Sequence, residues 1–274
     1  MSIVTISYGS SGIRGGLAEN AAEKLGYNFA GRETLSLASQ KYDIPEEKLS
    51  YALHHGPSFF GMSTAVRKRY IACIFASAAE ILLRDNLVYN GPAGHVIAQG
   101  VSHILKVNLI VSLEARISFL MDRDNISMEK AEKIAAKEDA DQKKWSSLFF
   151  GMDASDPNLF DRIIDVSRIG VDETVEQIAE AAREKKYQPM TYSMQCIRNK
   201  ELAYRATACL IDLDPEIRAH SEEGAVFVHA KTMGRAKEKN QALIRERLEA
   251  FPDVKKIEIH MDEDLIDRMG GVLR

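Results

Sequence analysis

Short apolar runs alternate with amphipathic helical patterns along the first two thirds of the chain. Four of these runs predict strands: IVTIS, LVYNG, VNLIVSL and RIIDVS. The β-branched run IVTIS fits a strand buried on both faces. Helical patterns lie between them. In LAENAAEKLG, Leu17, Ala21 and Leu25 recur every fourth residue, and Gly26 is a typical helix stop. Strands that alternate with helices favour a parallel sheet covered by helices on both faces.

The pattern changes after KKYQPMTYS, where Pro189 and its polar neighbours predict a linker. Beyond it the predicted order is helix, strand, strand, helix, strand, with a hairpin turn at residues 222–224. This order does not readily extend the first sheet, so we predict a second, small α+β domain. We therefore expect an α/β domain over residues 1–188 and an α-β-β-α-β domain over residues 189–274.

Composition and charge restrict the class of protein. The 274 residues are 45% hydrophobic and 28% charged, which is typical of a folded soluble chain. A net charge of −4 gives no electrostatic argument for nucleic acid or for a membrane surface. The three cysteines are far apart, and the amino terminus lacks the basic segment of a signal peptide. The longest apolar stretch, YIACIFASAAEILL, is too short to span a bilayer. We expect a cytoplasmic protein without a nucleic-acid partner or a transmembrane segment.

The stretch YGSSGIRGG, residues 8–16, joins the first predicted strand to the first predicted helix. Backbone amides of such a turn, together with the free amides at the helix start, form an anion site. Ser10 and Ser11 add hydroxyl groups, and Arg14 is the candidate cation, because the lysine of the common phosphate loop is missing. The residues alone leave two interpretations open: a phosphate loop, or a glycine-rich turn that binds nothing.

Over about residues 1–185 the chain resembles the cytidylate-kinase-like branch of the P-loop nucleoside monophosphate kinases. The resemblance rests on VTISYGSSGIRGGLAENAAEKLG, on LVYNGPAG, and on the run from VNLIVSLEARI to FFGMDASDPNLFD. That branch also lacks the loop lysine. The resemblance implies a P-loop kinase-type sheet, ATP and Mg²⁺ as cofactors, and transfer of the ATP γ-phosphoryl group to a nucleoside monophosphate such as CMP. It implies cofactor contacts from the loop residues Gly9, Ser10, Ser11, Gly12, Ile13 and Arg14.

The same resemblance points to five further side chains. The catalytic candidates are Arg123, and Lys143 and Lys144 in place of a lid arginine. Arg32 and Arg116 are the candidates for substrate binding, and the spacing of Arg116 and Arg123 predicts that both lie on one helix face.

Several departures from the family pattern leave an alternative open. Arg14 is displaced by one position, Gly31-Arg32-Glu33 replaces an Asp-Arg-Glu, and Gly91-Pro92 replaces a Gly-Arg. An arginine clamps a phosphate with two parallel hydrogen bonds, whereas a lysine acts as a point charge. The alternative is a catalytically weak or inactive kinase fold with a regulatory or sensor role. Asp165 is expected to cap a turn, although a water-mediated contact with Mg²⁺ stays open, and the basic run RKRY at residues 67–70 is expected to be a solvated face.

Residues 194 to about 261 resemble the BON module in GAVFVHA and FPDVKKIEI. This resemblance implies docking or sensing, with a protein or ligand partner, rather than chemistry. The expected partners of the whole chain are therefore a nucleotide, that docking partner, and a second copy of the chain in a homo-oligomer. His220, His229 and His260 suggest a metal site, but strand parity predicts that His229 and His260 point outward, so we expect none.

Overall fold

A computed structural model describes residues 2–9, 16–54, 61–150, 152–232 and 237–263. The chain divides into two compact units, residues 1–34 with 81–194 and residues 35–80 with 195–274. This division differs from the predicted domains in two respects, because residues 35–80 group with the C-terminal residues and the boundary follows residue 194 rather than 188. Independent folding of residues 1–188 and 189–274 stays a prediction. Among the described helices, none has both the length and the apolar character needed to cross a membrane.

Helices occur in both units and are numbered in chain order. They are α1 (Leu17–Leu25), α2 (Glu33–Tyr42), α3 (Glu46–His54), α4 (Thr64–Ile81), α5 (Gly94–Ile97), α6 (Leu113–Asp124), α7 (Met128–Phe150), α8 (Val166–Ile169), α9 (Val171–Ala182), α10 (Thr191–Leu210) and α11 (Lys237–Glu249). Single 3₁₀ turns lie at Pro157–Leu159 and Lys185–Tyr187.

The first unit is built on one parallel sheet with the strand order β2-β3-β1-β4-β5. Its strands are β1 (Ile3–Tyr8), β2 (Asn28–Ala30), β3 (Leu87–Tyr89), β4 (Ile104–Ile110) and β5 (Arg162–Asp165). All four pairings are parallel, which confirms the predicted α/β sheet. The sequence pattern did not reveal β2, because this edge strand is only three residues long and two of them are exposed.

Helices α1 and α9 cover one face of this sheet with an apolar core. Val4 and Ile6 of β1 and Leu105 and Val107 of β4 are fully or almost fully buried there. The core extends to Tyr187, which is 3% exposed. The segment that we predicted as a linker is therefore packed into the first unit up to Tyr187.

The second unit contains a three-stranded sheet with the order β6-β7-β8. Its strands are β6 (Arg218–Glu222), β7 (Ala225–Thr232) and β8 (Lys256–Glu263). β7 pairs antiparallel with β6 and parallel with β8, which confirms the predicted α-β-β-α-β order. The hairpin turns at Glu223 and Gly224, both at positive φ, as a two-residue turn with right-handed strand twist requires. The resemblance of this unit to the BON module stays a prediction.

The inner and outer faces of this small sheet differ in character. Val226 and Val228 are fully buried on the inner face, together with Leu248 of α11. His229 and His260 lie exposed on the outer face, as predicted, and their rings stack with centroids 5.0 Å apart. Within the described ranges, no three His, Cys, Asp or Glu side chains are grouped so that they could hold a metal ion.

One expectation about the second unit was wrong. Arg67 belongs to the run RKRY that we expected to be solvated, yet it is 1% exposed and ranks among the largest fully buried side chains. Its neighbour Lys68 is also largely buried and pairs with Glu216. A charge run on a helix therefore does not by itself identify a solvent face.

Candidate phosphate site at the carboxyl edge of the sheet

The loop that follows β1 lies where an open parallel sheet provides a ligand site. β1 is flanked by β3 on one side and β4 on the other, so the strand order reverses at β1. Ligands of such sheets bind outside the carboxyl ends of the strands at this point. The predicted cofactor residues Ser10, Ser11, Gly12, Ile13 and Arg14 lie outside the described residues.

The two ends of this loop are described. Gly9 directly follows β1, and its amide donates a hydrogen bond to the Leu109 carbonyl of β4 at 2.8 Å. Gly16 precedes α1 with a φ of 96°, in the left-handed region that favours glycine. Because Gly16 has no side chain to cap α1, no N-cap side chain competes for the helix's first amides, which a negative charge would stabilise.

Asn108 closes the sheet side of this site. It lies on β4 in register with Ser7, and its side chain is 6% exposed. A Cβ atom added to Gly9 would lie 2.7 Å from Asn108 Oδ1 and 3.1 Å from Ile110 Cγ2, so only glycine fits without displacement. Asn108 Oδ1 is buried and has no hydrogen-bond partner within the described part of the chain. A buried acceptor of this kind costs about 1–3 kcal/mol unless a further group satisfies it.

His95 connects β1 to the segment that follows α7. Its Nδ1 lies 2.9 Å from Ser7 Oγ, and its Nε2 lies 3.0 Å from the Ala154 carbonyl oxygen. Because a carbonyl only accepts, Nε2 carries the proton and Nδ1 accepts from the serine hydroxyl. The ring stacks on Phe160 with centroids 4.7 Å apart. Burial disfavours the charged imidazolium and lowers the pKa of His95 to about 4, against the opposing effect of the Ala154 carbonyl, so His95 is neutral at physiological pH.

The predicted catalytic lysines lie near the C-terminal end of α7. Lys143 is exposed and pairs with Asp153 at 3.2 Å, and Lys144 is also exposed. Ser146, one turn further on, is 1% exposed, and its hydroxyl accepts from the Ala154 amide at 3.1 Å. Lys143 and Ser146 therefore both contact the segment of Asp153 and Ala154, and His95 contacts that segment at Ala154.

Arg116 and Arg123 have different surroundings on α6. Arg116 is 4% exposed, and its guanidinium donates to Asp139 at 2.6 Å, to Glu138 at 2.8 Å and to the Ala135 carbonyl, which ties α6 to α7. Arg123 is about half-exposed and makes two parallel 2.7 Å hydrogen bonds to Asp124. To contact a phosphate, either arginine would have to give up hydrogen bonds to these carboxylates. Their assigned roles stay predictions.

The remaining candidates lie at two other strand ends. Arg32 is exposed between β2 and α2, where its predicted role in substrate binding stays untested. Asp165 ends β5 and caps α8, because its Oδ1 accepts from the Ser167 amide at 3.0 Å, which confirms the expected cap.

Three residues around the site, Ser7, His95 and Asn108, were not predicted from the sequence. The signal that was available is that parallel strands buried on both faces are normally apolar. Ser7 and Asn108 interrupt two such strands near their carboxyl ends, where ligands of these folds bind. His95 follows a Gly-Pro-Ala-Gly turn in an otherwise apolar stretch, and its partners were not foreseeable because they are distant along the chain.

Known proteins resemble this chain mainly over the residues of the first unit. The family profile of the cytidylate kinase-like family matches residues 3–168, which is more than half of the chain. The chain belongs to the cytidylate kinase-like family. Over 103 residues it is 32% identical to a cytidylate kinase of Staphylothermus marinus, and the match spans 37% of this chain and 56% of that protein. A crystal structure of an uncharacterized protein from Eubacterium ventriosum covers 66% of this chain and 97% of its own, with a TM-score of 0.44 and 16% identity.

Proposed function

We propose that the first unit binds ATP with its phosphates at residues 9–16 and transfers the γ-phosphoryl group to a nucleoside monophosphate such as CMP. The observation that carries this proposal is the juxtaposition of Gly9 and Asn108 at the carboxyl edge of the sheet. A strand passes there into a glycine-rich loop and a helix, and the side-chain amide of Asn108, which can donate through Nδ2, lies beside Gly9. Membership of the cytidylate kinase-like family supports the class of reaction.

The residues present fit a phosphate ligand. Gly9 lies closer to the Asn108 side chain than a residue with a Cβ atom could without displacing that side chain, and α1 starts at a glycine without a side-chain cap. Phosphates would contact the loop amides and the first amides of α1, with Ser10, Ser11 and Arg14 as further donors. Mg²⁺ would be held mainly by the phosphates and would neutralise the charge that builds up between them during transfer.

The acceptor would be positioned by the cations that the family pattern assigns. Arg32 lies at the carboxyl end of the sheet after β2, and Lys143 lies on α7, so the two cations would approach a phosphate from different elements. Positioning and charge neutralisation account for most of the catalysis of phosphoryl transfer. Because a lysine stands where the family has a lid arginine, we expect slow turnover rather than loss of nucleotide binding.

A direct test is titration calorimetry with ATP, ADP and CMP in the presence of Mg²⁺, followed by a coupled assay over all nucleoside monophosphates. We expect binding of ATP and turnover with a pyrimidine monophosphate. Absence of binding at millimolar concentration of every nucleotide would refute the proposed function. Binding of ATP without turnover would support the alternative of a regulatory kinase fold.

The variant Gly9→Ala tests the site itself. Its new methyl group would push against Asn108 Oδ1 at 2.7 Å, and we expect ATP affinity to fall by about tenfold, equivalent to about 1.4 kcal/mol. Asn108→Ala is expected to weaken binding by itself, so it is the matched background for the steric effect. In that background the clash with Oδ1 is absent, and adding Gly9→Ala should cost little further affinity. If Gly9→Ala binds ATP as tightly as the natural chain, the phosphates do not lie over Gly9.

A further inference from the structure

A chain of hydrogen bonds runs from β1 to α7 beneath the candidate site. It starts at Ser7, two residues before Gly9, and passes through His95 to the Ala154 carbonyl. The Ala154 amide continues it to Ser146 Oγ, and that hydroxyl donates to the Lys143 carbonyl at 3.0 Å. The path thus connects the strand that leads into the loop with the helix turn that carries Lys143.

The geometry points to His95 as a positioning residue that fixes the distance between the carboxyl end of β1, which leads into Gly9, and the C-terminal part of α7. This inference rests on the proposed function, since it concerns how the two halves of that site are held together. His95 contacts no atom that would react, and it acts through Ser7 on one side and through Ala154 on the other.

Two features make this path suited to transmit position. Its inner members are buried: Ala154 is 9% exposed and Ser146 is 1% exposed, so water competes little for their hydrogen bonds. In addition, the direction of each hydrogen bond is fixed, because Nε2 of His95 must donate to a carbonyl and Nδ1 must then accept. A neutral imidazole in one tautomer holds both partners, and the stack on Phe160 fixes the plane of the ring.

Lys143 contacts this path through its backbone and the neighbouring Asp153 through its side chain. Its carbonyl accepts from Ser146, and its ammonium pairs with Asp153, the residue before Ala154. The segment that His95 holds therefore contacts the backbone of the predicted catalytic lysine through Ser146 and its exposed side chain through Asp153. In reactions that depend on positioning, a displacement of about 1 Å lowers the rate by about 100-fold.

The test compares variants that cut the path with one that does not. His95→Phe keeps the ring stack but removes both hydrogen bonds, Ser7→Ala removes the first link, and Ser146→Ala removes the last. We expect each to raise the dissociation constant of Mg²⁺–ATP by about fivefold to tenfold, because each interrupts the same path, whether it removes one hydrogen bond or two. His95→Gln, whose amide both donates and accepts, is expected to retain most of the affinity. Ser7→Ala combined with His95→Phe should lose no more than His95→Phe alone, because both cut the same path.

Gln99→Ala is the matched control. Gln99 also ties this region together, since its amide donates to the His95 and Leu159 carbonyls, both at 2.9 Å, but it lies off the path to Ser7. We expect Gln99→Ala to lower the melting temperature to a similar extent and to leave the affinity for Mg²⁺–ATP unchanged. An equal loss of affinity in Gln99→Ala would assign the effect to general loosening and would overturn the inference.

Hydrogen exchange separates this inference from the proposed function. If the natural chain binds no nucleotide, the proposed function fails, and exchange of the backbone amides then decides on the path alone. We expect Ser146→Ala to speed exchange at residues 6–9, although Ser146 lies on another element. Unchanged exchange at residues 6–9 in Ser146→Ala would show that the path transmits nothing and would refute the role of His95 as a positioning residue.

Discussion

The two faces of the parallel sheet differ in the residues that β1 and β4 present. On one face, Val4 and Ile6 of β1 and Leu105 and Val107 of β4 are buried under α1 and α9 in an apolar core. On the other face, β1 and β4 begin with the buried Ile3 and Ile104 and then present Thr5, Ser7, Lys106 and Asn108 towards their carboxyl ends. We call this the polar face, and α5 contacts it through His95. Towards the carboxyl ends of β1 and β4, alternate residues thus belong either to the apolar core under α1 and α9 or to the polar groups near the candidate site.

The polar face contains buried polar groups, and these lie next to the candidate site. Buried polar groups reduce stability unless they are hydrogen-bonded. Ser7 and Lys106 have partners, in His95 and Asp161, whereas Thr5 Oγ1 and Asn108 Oδ1 have none within the described ranges. We infer that the apolar core under α1 and α9 offsets the free-energy cost of the unsatisfied polar groups on the other face.

Truncation on the apolar face should have the largest effect. Leu105 is fully buried, so Leu105→Ala is expected to lower the free energy of unfolding by about 2–5 kcal/mol, because it removes buried methyl groups and leaves a cavity. Urea unfolding measures this loss. The matched control is Ile163→Ala on β5, because Ile163 is 44% exposed and its truncation should change stability by less than about 1 kcal/mol. If both variants lose equally, burial of Leu105 under α1 and α9 does not determine its contribution to stability.

Acid should lower the free energy of unfolding, because His95 is buried in its neutral form. The pKa of His95 is about 4 in the fold, below the value of about 6.5 in an unfolded chain. The unfolded state therefore binds more protons between these values, so stability is complete above about pH 6.5 and falls as the pH drops towards 4. The expected loss is about 3 kcal/mol. His95→Phe should remove this part of the pH dependence, and a pH profile identical in both proteins would contradict the assignment.

The fold followed from the sequence because its signal is local and repeated. Four of the five parallel strands and the α-β-β-α-β order were readable from apolar runs, glycine stops and a hairpin turn. β2 was missed because three residues with two exposed side chains carry too little pattern. The grouping of residues 35–80 with the C-terminal residues is a long-range property that no local pattern encodes.

The site was less predictable for a related reason. The loop was recognised from glycines and from its place between a strand and a helix, but its supporting residues come from other elements. His95 meets Ser7 across 88 positions of sequence and Ala154 across 59. Arg116 shows a different limit, because an arginine at a family position turned out to be buried between α6 and α7 and held by Glu138 and Asp139.

Loss of charge at Asp161 should have an intermediate effect. Asp161 pairs with Lys106 at 2.8 Å and accepts from its backbone amide, and the lysine side chain is only 12% exposed. Asp161→Asn keeps the shape but removes the charge, so we expect a loss of about 2 kcal/mol, the range for a hydrogen bond to a charged group. Thermal melting at low and high salt measures this loss. Glu129→Gln is the control, because its pair with Lys133 is exposed and should contribute no measurable stability.

The smallest effect, and the one of opposite sign, is expected at Thr5. Its hydroxyl is buried without a partner among the described residues, and the side chain is 1% exposed. Thr5→Val replaces that hydroxyl by a methyl group of similar size, so an unsatisfied polar atom disappears without leaving a cavity. We expect the free energy of unfolding to rise by about 1 kcal/mol. Thr5 lies four residues before Gly9, so the affinity for Mg²⁺–ATP should not change, whereas Asn108→Ala, beside Gly9, should weaken binding. Urea unfolding and calorimetry on both variants separate the two cases. A loss of affinity in Thr5→Val would mean that the ligand site reaches deeper along β1 than Gly9, and that the polar face binds the nucleotide directly rather than supporting its loop.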